Sequence, residues 1–153
     1  MSDLEDSTRE TLITRLKLDP QQLTEVSTQI LKAGHMVRFR AVGESMKPTI
    51  MEGDLLTVSP IENRKASLGQ IVMFVNSSGR SLVHRIVSIK KVNGKRVVQT
   101  CGDNASLRDK AINDAQIIGI IYQVSREGMR VDGCPISNLF QRCWYLLRAS
   151  RIR

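Results

Sequence analysis

The chain has 153 residues, 41% hydrophobic and 25% charged, enough for one closed core in an ordinary globular domain. Its 23 Lys and Arg against 15 Asp and Glu give a net charge of +8, but aromatics are only 4% and no basic run alternates with stacking side chains. That pattern argues against a single-strand nucleic-acid platform, and no specific nucleic-acid partner is expected.

Met1-Ser2-Asp3-Leu4-Glu5-Asp6 is acidic with no apolar run behind it, so no secretory signal is expected. The longest apolar run, Ile117-Ile118-Gly119-Ile120-Ile121-Tyr122, is far too short for a bilayer span. The expected location is therefore cytoplasmic or peripheral to a membrane. Ser7-Thr8-Arg9-Glu10 fits a capping box opening a short helix through Leu16. Asp19-Pro20 then reads as N-cap and first residue of a second helix, with Leu23, Val26, Ile30 and Leu31 at helical spacing and Gly34 as its stop. From Met36 the period changes to two. Strands are predicted over 36–42, 54–58, 70–75, 82–90, 96–101, 116–124 and 129–131, with turns at Asn76-Ser77-Ser78-Gly79 and Asn93-Gly94.

Many short strands with regular turns predict a mainly β fold, a small antiparallel barrel or sandwich with helices at both ends. The boundaries are a helical segment over 1–35, a β domain over 36–132 and a basic amphipathic helix over 133–153. In that last helix Leu139, Phe140, Cys143, Trp144 and Leu147 share a face while Arg142, Arg148, Arg151 and Arg153 lie elsewhere. The pattern suits peripheral membrane contact through Leu139, Phe140 and Trp144, and equally a helix that covers the domain. Cys101, Cys134 and Cys143 share no metal-ligand spacing. They read as free thiols, and neither a metal nor another cofactor is expected.

Three blocks carry chemistry. Gly43-Glu44-Ser45-Met46-Lys47-Pro48-Thr49 places a serine on a tight turn, where it can be a nucleophile if a base lies near. The second block, Leu82-Val83-His84-Arg85-Ile86-Val87, sets one of the chain's two histidines in a strand, and Gly102-Asp103-Asn104-Ala105-Ser106-Leu107-Arg108-Asp109 supplies two carboxylates. Histidine suits the role of base because its ordinary pKa of about 6.5 leaves it mostly neutral near pH 7. Each block alone has a plain reading: a turn former, a structural histidine, a common turn. His35, just after Gly34, reads as structural.

In order and context the three blocks resemble the type I signal peptidases, which have a Ser-Met-x-Pro-Thr box leading into Gly-Asp, a strand with the base beside Arg, and a Gly-Asp-Asn box followed by a second Asp. The resemblance runs from about Val42 to Val124. His84 where most bacterial members have Lys points to the histidine branch of archaea and the endoplasmic reticulum. It implies a serine endopeptidase that processes a peptide or preprotein substrate after small residues, on the barrel shared with self-cleaving repressors. Ser45 would be nucleophile and His84 base, with Asp103 or Asp109 orienting His84. Asp103 is favoured because it sits beside Gly102, where backbone approaches closely. The oxyanion would fall on the Ser45 backbone N–H. Met46 would line the pocket before the cut bond, Gly43 stands where some relatives carry a hydroxyl, and Pro48 would shape the turn. The expected departure is the transmembrane anchor that family members normally carry.

Two other readings remain. A self-cleaving repressor shares the nucleophile turn but uses a Lys base and a DNA-binding domain, for which residues 1–34 are too few. Its cleavage dipeptide would be Ala33-Gly34, close before Ser45 in sequence. A basic barrel that only binds a partner would show binding that weakens steeply with salt if the partner carried phosphates.

Overall fold

The computed structural model describes residues 18–61 and 65–131. The helix expected over 7–16 and the basic helix over 133–153, with Cys134, Cys143, Leu139, Phe140 and Trp144, lie outside the described residues.

Helix α1 (Pro20–Lys32) begins where its local chemistry dictates. Asp19 Oδ1 accepts from the backbone N–H of Gln21 and Gln22 at 2.9 Å, and Gln22 returns a bond to the Asp19 N–H at 3.1 Å. Pro20, in the first turn, has no N–H left to satisfy. At the other end Gly34 adopts φ +84°. Its N–H bonds to Leu31 O and the His35 N–H to Ile30 O, at 3.0 and 3.1 Å, a paired closure that needs the left-handed conformation. The helix buries Leu31 and packs Ile30 against the core, as its apolar spacing predicts, and buries Thr24 and Ser27 beside them. Small polar side chains let it lie close to the sheet, and Thr24 Oγ1 accepts from the Ser81 N–H at 3.0 Å.

Seven strands follow: β1 (Val37–Arg40), β2 (Leu55–Pro60), β3 (Ile71–Val75), β4 (Ser81–Val92), β5 (Lys95–Cys101), β6 (Ile117–Arg126) and β7 (Met129–Arg130). They form one sheet in the order β1-β2-β6-β3-β4-β5, with β7 on β6. Every strand pair is antiparallel, so the mainly β class is the one the structure has. Asn93 and Gly94, at φ +50° and +76°, make the tight β4–β5 turn that needs two positive φ values.

Central β3 is buried on both faces, Ile71 and Met73 in one core cluster and Val72 and Phe74 in the other. The first cluster includes Leu31 of α1; the second is closed by Ala66 and Ile112 from connecting segments. β6 breaks simple alternation twice. Its register skips Ile118 against β3 and Tyr122 against β2. Each bulge turns one residue to the other face and bends the strand, so four isoleucines in a five-residue run serve both clusters.

Candidate functional site

Ser45 lies between β1 and β2 on a segment folded by its own backbone. Gly43 takes φ +88°, Lys47 N–H bonds to Glu44 O at 3.1 Å, and Ile50 N–H bonds to Met46 O at 3.0 Å. The exit is fixed by Asp54, whose Oδ2 accepts the Met51 N–H at 2.8 Å. Arg126 of β6 grips both carboxylate oxygens of Asp54 at 2.9 and 2.8 Å. This bond from Arg126 holds the Asp54 pKa below the ordinary carboxylate value against the opposing effect of burial, and the Met51 amide adds to it. Asp54 in turn raises the pKa of Arg126. The same segment carries Lys47, whose Nζ donates to Glu44 Oε1 at 2.6 Å.

His84 stands on β4 across from Val72 of β3, its ring tilted 56° to Phe74 at a centroid separation of 6.2 Å. Its Nε2 is 3.0 Å from Ser45 Oγ, and its Nδ1 is 2.7 Å from Asp109 Oδ2. Thr100 Oγ1 donates to that same carboxylate oxygen at 2.7 Å, and the Asp109 N–H donates to Thr100 O at 2.8 Å. One buried residue of β5 thus holds Asp109 by backbone and side chain together.

Asp103 is placed elsewhere, which corrects the expectation that it orients His84. Its oxygens accept from Arg85 Nε and Nη2 at 2.8 and 2.7 Å and from Thr49 Oγ1 at 2.6 Å. Arg85 is fully buried, and its Nη1 donates to Gly69 O at 2.8 Å. A guanidinium without solvent calls for a carboxylate in fork geometry, and Asp103 supplies one. The Gly102 turn does approach closely, as expected, but what it approaches is the nucleophile segment. Asn104 N–H donates to Ser45 O at 2.8 Å, and Met46 Sδ lies 3.5 Å from the Asp103 nitrogen.

Beside Ser45 and His84 opens a cavity of about 350 Å³. Gly43 and Met46 belong to its wall, whereas Pro48 does not. Thr49 and Arg85 stand in the quoted boxes without a role of their own, and Thr100 was not singled out by the sequence. A hydroxyl at the buried parity of β5, beside Val98, and a cation inside an apolar strand were the available signals. Cys101 is buried, and its Sγ lies 3.3 Å from Leu107 O. Among the described residues no group of side chains could hold a metal ion, and no helix is long and apolar enough to cross a membrane.

A serine set against a histidine–aspartate pair on a β scaffold is the arrangement of a serine peptidase. The chain belongs to the Peptidase S24-like family, whose profile matches residues 10–122, well over half of its length. No curated protein matches it.

Proposed function

We propose that the chain is a serine endopeptidase of the type I signal-peptidase kind, histidine branch, cutting a precursor or leader peptide. The observation that carries this is the unbroken line from Ser45 Oγ through His84 to Asp109 Oδ2, at 3.0 and 2.7 Å. With Asp109 accepting at Nδ1, the imidazole keeps its proton there and presents a bare Nε2 to the Ser45 hydroxyl. His84 takes that proton as Oγ attacks the scissile carbonyl, and Asp109 stabilises the imidazolium that results. The oxyanion falls on the Ser45 backbone N–H. Imidazolium then protonates the leaving amine, and water repeats the sequence on the acyl-enzyme. Thr100 holds Asp109 in line, while Arg85, Asp103 and Thr49 hold the turn facing Ser45. The small-residue preference at the cut bond comes from the sequence resemblance.

The family match also suits a self-cleaving repressor-type peptidase. Ala33-Gly34, the dipeptide for that reading, forms the C-terminal closure of α1 with Gly34 at φ +84°. It is not in the extended form a peptidase grips, which favours cleavage of another chain. The test is cleavage of a peptide with Ala-x-Ala after an apolar stretch, with and without detergent, by wild type, Ser45→Ala and His84→Ala. Activity lost in both variants supports the proposal. Cleavage that persists in Ser45→Ala, or self-cleavage with no action on the peptide, overturns it.

A further inference from the structure

Strands β4 and β5 reach past the sheet they belong to. β3 pairs with β4 from Ser81 to Arg85, and β5 is bridged on its far side at Val98, by Ile112. Towards the turn, among the described residues, the two strands pair only with each other: Lys90 with Val97, Lys91 with Arg96 and Val92 with Lys95. At about 3.3 Å per residue, this ribbon projects about 13 Å past Ile89. Its inner face is set by Ile89 and Val98, which pack on a core cluster, and by Arg96, which donates to Asp114 and to Ala66 O. By strand alternation the outer face carries Lys90, Val92, Lys95 and Val97. Lys90, Lys91 and Lys95 are exposed, as is Lys65 beside Ala66 at the ribbon's base, and Val92 at the tip is 51% exposed. No Asp or Glu occurs from Lys65 to Gly102, and Asp114 is taken by Arg96.

We propose that the β4–β5 ribbon docks on an anionic lipid surface, its lysines on the headgroups and Val92 at the boundary with the acyl chains. The kind of side chain chooses the partner. Lysine is depleted at protein–protein interfaces, whose anchors are aromatic residues and arginine. Nucleic-acid bases are read by arginine forks or stacked on aromatic rings. The ribbon's arginine is tied down, and residues 88–99 include no aromatic. A headgroup layer asks only for mobile point charges, each strengthening binding about fivefold, and an apolar tip. Asn93 and Gly94 hold that tip in one tight turn, so it is presented without further ordering. The surface goes beyond the peptidase reading and does not rest on it, since Lys90 lies about 20 Å along β4 from His84.

Co-sedimentation of the full chain with vesicles measures this. Wild type is expected to bind phosphatidylcholine vesicles that contain phosphatidylserine and to leave pure phosphatidylcholine vesicles alone, with binding that falls as salt rises. Lys90→Gln, Lys91→Gln and Lys95→Gln combined should weaken binding about 100-fold. Lys32→Gln, Arg80→Gln and Lys110→Gln combined remove the same charge from exposed positions elsewhere, and should weaken it by no more than about fivefold. Val92→Ser should weaken binding and leave its salt dependence unchanged. Melting curves and fluorophosphonate labelling of Ser45 should match wild type in the ribbon variants. Wild type that ignores phosphatidylserine, or a triple ribbon variant that binds as well as the charge-matched one, overturns the proposal. Duplex DNA that displaces the vesicles, with its binding lost in the ribbon variant, also overturns it and makes the ribbon a nucleic-acid contact. The serine-peptidase reading is decided separately, by cleavage and by Ser45 labelling.

Discussion

Gly102→Ala tests whether the acidic loop positions the nucleophile. A Cβ on Gly102 would stand 2.5 Å from the Ser45 carbonyl oxygen and 3.2 Å from both Ser45 C and Cβ. The nearest of these is about 1 Å inside ordinary contact distance, and the atom it meets is backbone, which cannot rotate aside. Ser45 O also accepts the Asn104 N–H at 2.8 Å, so the two segments are fixed at this spacing and must part together. A shift of about 1 Å would take the 3.0 Å Ser45–His84 contact out of hydrogen-bond range. Misplacement on that scale costs about 100-fold in rate, and the overpacking about 1–3 kcal/mol of stability. The assay pairs urea denaturation with the rate at which Ser45 reacts with a fluorophosphonate, under conditions where the variant is fully folded. Wild-type labelling and wild-type stability together would show that the loop does not set the position of Ser45.

The two aspartates should fail differently. Asp109→Asn is expected to cut the rate by about 100- to 10,000-fold with little change in stability, because His84 loses the partner that fixes its tautomer. Asp103→Asn should instead cost about 3–5 kcal/mol in denaturation, since it leaves the Arg85 cation buried without its carboxylate; equal effects of both on rate alone would contradict the assignment. Thr100→Val should slow Ser45 labelling about 10- to 100-fold through the lost bond to a charged acceptor, and Thr100→Ser should restore it. A Thr100→Val enzyme as fast as wild type would remove Thr100 from the site. Asp54 predicts a pH effect. Its folded pKa is depressed by Arg126, so the stability it contributes is complete above the unfolded carboxylate value of about 3.9 and is lost as pH falls through the lower folded value. Asp54→Asn should therefore be less stable than wild type at pH 7, with the gap closing well below pH 4 in urea titrations; a gap independent of pH would refute the linkage.

Local chemistry made much of the fold legible. Asp19-Pro20 opens α1 and Gly34 closes it because capping needs only residues within one turn. Asn93-Gly94 sets the β4–β5 hairpin for the same reason. The β6 bulges were not legible, since nothing in Ile118 or Tyr122 marks it as the residue that pairing with β3 or β2 skips. The face that α1 turns to the sheet was legible in Leu31 and Ile30, which meet the core, but not in Thr24 and Ser27, which are buried beside them and which a count of apolar residues passes over.

At the site, the sequence by itself supplied a serine on a glycine-led turn, a histidine in a strand and two acids, the chemical types that a hydrolytic relay requires. Tertiary structure alone decided which acid lies against His84. Both aspartates belong to one short loop, but β5 carries Thr100, whose carbonyl and hydroxyl draw Asp109 to His84, while buried Arg85 captures Asp103. The partner of a carboxylate is set by which cation or donor is desolvated within about 3 Å of it, and that distance exists only once strands far apart in sequence are paired.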